Sequence, residues 1–186
     1  KIISAVTSGN DVYGQRITDT DVSLTYADVY KLRGVYLSVN TSTAPVPPTI
    51  TLTSVTSATF TAGEKIKGVT SGAVGGIIGY TSGTGVLEYY VISGTFSASE
   101  GVTYNTSDTA TTTAISAGDK NVTSDFTLDT GQRDSFYDVS RIVRKSTAVA
   151  PAAQILVVFD YFAHSASGDF FSVDSYTGQV DYSDIP

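Results

Sequence analysis

Short runs of alternating apolar and polar residues, separated by Gly, Asn, Asp and Ser, make up most of the 186-residue chain. A period of two is typical of β-strands with one buried face, and turn signals that recur every ~8–12 residues are typical of sandwiches and barrels. The run at 154–163 is apolar on both faces, so we expect a central strand that is covered on both sides. The predicted strands are 2–6, 12–18, 33–39, 49–55, 64–69, 73–80, 86–92, 110–115, 121–128, 138–145, 154–163 and 170–174.

One segment, 25–32, has two interpretations. With Thr25 as N-cap and Asp28 at the third helical position, it fits one or two turns of helix. The alternation across 29–39 fits a turn that leads into a strand equally well. The pattern leaves both interpretations open.

A change of composition divides the chain. The segment 44–48 is rich in Pro, which fixes φ and lacks an N–H, and is predicted to be a stiff connector. The segment 49–118 then carries only six charged residues, and charge and aromatic side chains return after it. We therefore predict an all-β fold, in which an antiparallel β-sandwich formed by 1–44 and 119–186 carries an inserted small β-barrel-like module at 49–118.

The low-charge module contains an internal repeat. Residues 55–66 match residues 91–102 at an offset of 36, and six of the twelve positions are identical. Ser99 stands where the first copy has Gly63. The repeat predicts a strand, a turn and a second strand in each copy, as in a small barrel whose first and last strands carry the same turn.

Residues at the turns of this repeat are predicted to anchor them. The Phe side chains point inward, a Gly permits the tight bend, and the Glu carboxylates accept backbone N–H bonds. These structural turn anchors are Phe60, Gly63, Glu64, Phe96 and Glu100.

The motif at 60–64, followed by Gly-x-Thr-Ser-Gly-Ala-x-Gly at 68–75, resembles a small β-module of large tailed-phage virion proteins. There F-x-x-G-E precedes the Gly-rich stretch and then recurs. The resemblance covers most of the chain and implies a virion structural protein of the tail, baseplate or fibre. Its implied location is the extracellular phage particle, and its implied partners are other copies of itself and neighbouring virion proteins. Flanking stretches that resemble structural proteins of marine T4-like phages are 26–32, 131–138, 159–164 and 168–176.

In such proteins these segments lie inside longer chains. The present sequence starts at Lys1 and contains no Met. Its last residues, 182–186, resemble neither a helix end nor a charged tail. We therefore expect a piece of a larger polypeptide.

Composition excludes several classes of chemistry. The absence of Cys rules out disulfides, a catalytic thiol and Cys-bound metal, and a single His cannot form a His-based metal site. The net charge of −7 disfavours nucleic-acid binding. No apolar run reaches the ~18 residues of a membrane helix. The basic residues Arg141, Arg144 and Lys145 are predicted to guard an edge strand.

The acidic residues do not form a recognisable active site. Asp129, Asp134 and Asp138 lack the ligand spacing and closing Glu of a calcium loop, so a turn in which Arg133 pairs with a carboxylate is favoured. His164 has no G-x-S-x-G motif to support a Ser-His-Asp triad. The three Glu residues suggest no acid–base pair for a glycosidase. We predict no enzyme, no cofactor and no metal.

Aromatic residues of the module suggest one possible binding surface. Tyr89, Tyr90 and Tyr104 are candidates for a face that binds sugar or protein. The alternative is a barrel with one buried and one half-exposed Tyr, because adjacent strand residues point to opposite faces.

The predicted function is structural and acts through packing and assembly, which requires exposed apolar patches. The first alternative is a host-surface adhesin or glycan-binding module, which requires exposed aromatic side chains in a groove. The second alternative is a bacterial surface or secreted β-protein.

Overall fold

The computed structural model describes residues 1–3, 15–56, 60–104 and 108–162. These residues form antiparallel strands and one short 3₁₀ helix, η1, at Thr123–Asp125, so the all-β prediction is confirmed. The predicted strand 170–174, part of 12–18, and His164 lie outside the described residues. The strands are β1 Ile2–Ile3, β2 Asp21–Ser23, β3 Val29–Leu37, β4 Thr49–Thr53, β5 Lys65–Gly68, β6 Val74–Thr81, β7 Val86–Ser93, β8 Gly101–Tyr104, β9 Asp108–Ser116, β10 Lys120–Asn121, β11 Phe126–Asp129, β12 Arg141–Arg144 and β13 Ile155–Tyr161.

Two sheets share one hydrophobic core. The first has the order β1-β13-β3-β10 and the second the order β11-β12-β2. Fully buried side chains from both sheets, such as Val35 and Val157 from the first and Ile142 from the second, belong to the same cluster. Burying such apolar surface stabilises the packed pair of sheets by roughly 25 cal/mol per Å².

The segment 25–32 forms a turn and a strand rather than a helix. Thr25 and Asp28 have φ values of 62° and 56°, in the left-handed region that a right-handed helix excludes. β3 begins directly afterwards at Val29 and pairs with β13 along its length.

Arg141 and Arg144 lie on β12 and Lys145 directly follows it, and β12 is the middle strand of its sheet, paired with both β11 and β2. The prediction of an edge-strand guard is therefore wrong. Arg141 forms an ion pair with Asp138, and Arg144 donates to the carbonyl oxygen of Ala148 at 2.9 Å. The side chains of Arg141 and Arg144 therefore bind adjacent loop residues and do not protect an exposed strand edge.

The six strands from β4 to β9 close a barrel in the order β4-β7-β6-β5-β8-β9. Exchanging β4, β5 and β6 with β7, β8 and β9 reproduces every pairing in this ring. The barrel therefore has a pseudo-twofold arrangement of two three-stranded units. The repeated turn precedes β5 and β8, which are neighbours, and not the first and last strands as predicted.

The two connections to the barrel are tied to each other. The N–H of Val46 donates to the Asp119 carboxylate at 2.8 Å, and the N–H of Asp119 donates to the Val46 carbonyl oxygen at 2.8 Å. Gly118, with φ of 68°, packs against Pro47, so closely that a Cβ there would lie 2.4 Å from the Pro47 carbonyl carbon. The Pro-rich connector is thus one half of a clasp.

Replacing Tyr36 by Phe is expected to leave the free energy of unfolding unchanged or raise it by up to about 1 kcal/mol. The ring is buried above Gly34, and among the described residues its hydroxyl has no hydrogen-bond partner. Burial raises the pKa of this hydroxyl to about 12, and an unpaired buried hydroxyl costs free energy in the folded state. Urea denaturation measures the change, and a loss above 1 kcal/mol would show that the hydroxyl has a partner.

Candidate functional site

The Glu100 carboxylate is the most extensively bonded acidic group of the barrel. It is buried, and it accepts hydrogen bonds from the N–H of Thr70 at 3.1 Å, the N–H and hydroxyl of Ser71 at 2.9 and 2.8 Å, and the N–H of Ser97 at 2.6 Å. Gly68 leaves room, because a Cβ there would lie 2.7 Å from Glu100 Oε2. Glu100 therefore joins the second repeat turn to the Thr-Ser-Gly turn between β5 and β6.

The first repeat turn is more weakly bonded. Glu64 is exposed, and its one hydrogen bond within the described part of the chain is a 3.4 Å bond from the N–H of Thr61, the equivalent of Ser97. Phe60 and Phe96 both pack at the barrel core, against Tyr80 and Tyr89 respectively, as expected for inward anchors. The two copies of the turn thus share one sequence pattern, but the hydrogen bonds to Glu100 in the second copy are more numerous and shorter than the bond to Glu64 in the first.

Ser99→Gly is expected to raise the free energy of unfolding by about 0.5–1 kcal/mol. Ser99 adopts φ of 62° and Gly63, its equivalent, adopts 91°. A side chain in the left-handed region costs roughly 1–2 kcal/mol, which glycine avoids apart from its extra backbone entropy. Thermal unfolding of the two proteins measures the difference. A lower transition temperature for the variant would indicate that the serine side chain stabilises the turn.

Acid is expected to weaken the barrel through Glu100. Burial raises the pKa of Glu100, but the hydrogen bonds from Ser71, Ser97 and Thr70 together lower the pKa by more. The pKa therefore lies below the ordinary 4.5. A lowered folded pKa means that this stabilisation is complete above the unfolded pKa and is lost as pH falls through the folded pKa. Urea denaturation between pH 6 and pH 2 should show this loss in the wild type and a smaller one in Glu100→Gln.

The tyrosines predicted as a binding face are buried. Tyr89, Tyr90 and Tyr104 are 4%, 4% and 1% exposed. Tyr89 and Tyr104 belong to the barrel core, and the Tyr90 ring packs directly over Gly76. Tyr89 and Tyr104 therefore offer no surface to a ligand and Tyr90 is only 4% exposed, so the three side chains do not form the predicted binding face. Gly75 and Gly76 make room for the rings of Tyr89 and Tyr90.

The described residues instead form an open cleft where the first sheet of the sandwich meets the barrel. Its volume is about 440 Å³. The side chains that line it on the sandwich side include Tyr30, Arg33 and Asp160, and those on the barrel side include Ile77 and Tyr90. Its size is in the range of small-ligand sites. We call it the junction cleft.

An ion pair crosses the wall of the junction cleft. Arg33 Nε and Nη2 lie 2.6 and 2.5 Å from Asp160 Oδ2, and the hydroxyl of Tyr30 lies 3.5 Å from the same oxygen. The guanidinium carbon of Arg33 lies 5.1 Å from the centre of the Tyr90 ring, a cation–π contact that links the sandwich to the barrel. The hydrogen bond that Arg33 donates to Asp160 raises the pKa of Arg33, so the guanidinium stays charged.

Two irregularities of β3 place these side chains. The pairing of β3 with β13 skips Arg33 between Leu32 and Gly34, and it skips Tyr30 between Val29 and Lys31. A bulge adds an unpaired residue and redirects its side chain, and bulges are common next to functional sites. Both skipped residues are those whose side chains reach Asp160.

Exposed aromatic rings continue from the cleft along the outer surface. Tyr30 stacks on Phe162 with ring centres 4.7 Å apart, and Tyr161 contacts Tyr26 at 4.6 Å. All four are at least two-fifths exposed. Strand β13 is therefore central but covered on both sides only in part. The run at 154–163, apolar on both faces, predicted cover along its whole length, whereas Tyr161 and Phe162 at its end are 43% and 60% exposed.

The acidic loop after β11 is held by arginines. Arg133 donates to both oxygens of Asp129 at 2.9 and 2.7 Å, and this contact lowers the pKa of Asp129 to about 2. Arg141 pairs with Asp138. The pairing of Arg133 with a carboxylate, favoured over a calcium loop, is present. Within the described ranges, no three acidic or histidine side chains gather where they could hold a metal ion.

Comparison with protein-family models, curated proteins and solved structures found no match. In the part of the chain that the structure describes, no helix has the length and hydropathy needed to cross a bilayer.

Proposed function

We propose that the chain is a structural segment of a tailed-phage virion protein that acts in the tail, baseplate or fibre through packing and assembly. The proposal combines the resemblance of the flanking stretches and the F-x-x-G-E module with the geometry of one loop. It assigns the chain to the phage particle and its contacts to neighbouring virion proteins or copies of itself.

The observation that supports an assembly role is the loop 130–139. Its tip presents Phe136 and Tyr137, which are 58% and 78% exposed. The N–H of Arg133 donates to the Phe136 carbonyl oxygen at 3.0 Å, and Gln132 forms an isolated antiparallel β-bridge with Tyr137. Aromatic side chains are enriched in protein interfaces, and a loop held in place before binding loses less entropy when it docks.

The test is immunogold electron microscopy of purified particles of the phage that encodes the chain, with antibody raised against the 186 residues. Label on the tail, baseplate or fibre supports the proposal. Particles that remain unlabelled, from lysates in which the antibody detects the protein, would overturn it. The double variant Phe136→Ala/Tyr137→Ala should reduce incorporation into particles at least tenfold, whereas Val149→Ala, an apolar control that is even more exposed, should not.

The junction cleft favours the host-surface alternative. An adhesin needs exposed aromatic side chains beside a groove, and Tyr30, Tyr161 and Phe162 provide them. Label confined to fibre tips or the distal tail would support this alternative over a purely structural role.

A further inference from the structure

The junction cleft presents an aromatic surface and polar groups side by side. Tyr30 and Tyr161 are 50% and 43% exposed and line the cleft together with Asp160 and Arg33. A flat ligand with apolar faces and polar edges matches such a surface, because its face packs on a ring while its edge forms hydrogen bonds.

The polar groups of the cleft retain bonding capacity. The donors from Arg33 and Tyr30 all converge on Oδ2 of Asp160, and no donor among the described residues reaches Oδ1. Likewise no described residue accepts a hydrogen bond from Arg33 Nη1. Asp160 Oδ1 therefore remains to accept a hydrogen bond from a ligand, and Arg33 Nη1 remains to donate one. A sugar hydroxyl both donates and accepts, so a pair of hydroxyls matches these two groups.

The electrostatics of the cleft favour a neutral ligand. Asp160 and Arg33 neutralise each other, so the wall of the cleft has no net charge. The chain as a whole carries −7, which repels acidic polysaccharides.

The aromatic surface is ordered by its own contacts. Tyr30 stacks on Phe162, with 30° between the ring planes, and the Asp160 oxygen lies within reach of the Tyr30 hydroxyl. Side chains that are fixed before binding lose less rotamer entropy on contact with a ligand.

We infer that the junction cleft binds a neutral oligosaccharide, with a sugar ring packed on Tyr30 and its hydroxyls bonded to Asp160 Oδ1 and Arg33. This inference specifies the host-surface alternative of the proposed function. It is tested by binding rather than by location in the particle, so the two can fail separately.

The test is isothermal titration of the full 186-residue chain with neutral and acidic oligosaccharide probes. The neutral probes are chitohexaose, cellohexaose and maltohexaose, and the acidic probe is a hyaluronan hexasaccharide. We expect saturable binding of at least one neutral probe and none of the acidic probe. Absence of binding to every neutral probe at millimolar concentration would overturn the inference, as would preference for the acidic probe.

Variants locate the binding site. Tyr30→Ala and Asp160→Asn should each weaken binding at least tenfold, whereas Tyr30→Phe, which keeps the ring, should stay within about threefold of the wild type. Val39→Ala, an exposed apolar residue outside the cleft, should bind as the wild type does. Because Tyr30 is half exposed, its substitution leaves the core intact, which circular dichroism verifies. Unchanged binding by Tyr30→Ala would place the sugar elsewhere and overturn the assignment.

Discussion

Glu100→Ala is expected to lower the free energy of unfolding by about 3 kcal/mol. The carboxylate accepts four hydrogen bonds, three of them from backbone N–H groups in two different turns. Each bond to a charged acceptor contributes roughly 1.5–3 kcal/mol, and donors left buried without a partner add a further cost. Water that enters the space satisfies most of the freed donors, so the expected net loss lies well below the simple sum of the four bonds. Urea denaturation followed by far-ultraviolet circular dichroism measures it.

The repeat supplies the matched control. Glu64→Ala removes the equivalent residue, which is exposed and accepts one long bond from the described residues, and should cost less than about 0.5 kcal/mol. A double-mutant cycle with Ser71→Ala should show coupling to Glu100 and none to Glu64. Equal losses from the two Glu substitutions would contradict the role assigned to the Glu100 carboxylate.

Gly118→Ala is expected to lower the free energy of unfolding by about 2–4 kcal/mol, the second large effect. Gly118 has φ of 68°, where a side chain costs roughly 1–2 kcal/mol. An added Cβ would also lie 2.4 and 2.5 Å from the carbonyl carbon and oxygen of Pro47, and the Pro-rich backbone cannot move aside easily. Thermal and urea denaturation both measure the loss.

Gly63→Ala separates the cost of the positive φ from the cost of the contact with Pro47. Gly63 also has positive φ, but a Cβ there would meet no atom within 4 Å. Its substitution should therefore cost only the conformational part, about 1 kcal/mol. If Gly118→Ala and Gly63→Ala destabilised the protein equally, the contact with Pro47 would have no energetic role.

Alternation of apolar and polar residues was sufficient to predict the strands of the barrel that have clear inward positions. It missed β8, although β8 is the copy of β5 at the offset of 36 and could have been inferred from the repeat. It also merged β10, η1 and β11 into one strand, although the polar run Thr123–Asp125 interrupts the apolar pattern there. Three-residue strands such as β2 carry too few positions for a periodic signal.

The site was harder to predict than the fold. Sequence reasoning chose Tyr89, Tyr90 and Tyr104 because they lie in the low-charge module, and the barrel buries all three. Arg33 and Asp160 lie 127 residues apart in the sequence, and the exposed rings, such as Tyr30 and Phe162, also come from distant positions. Their meeting depends on the pairing of β3 with β13 and on bulges, which no local pattern encodes. The repeated Glu positions were found because they lie inside one motif.

The clasp between Val46 and Asp119 has a mechanical consequence. The strands on either side of the barrel, β3 and β10, are direct neighbours in one sheet. A pulling force on the sandwich can pass from β3 to β10 through the hydrogen bonds between these two strands. The clasp holds the two connections to the barrel together next to them. We therefore expect the force to bypass the barrel, so that the barrel stays folded while the rest of the chain bears the pulling force.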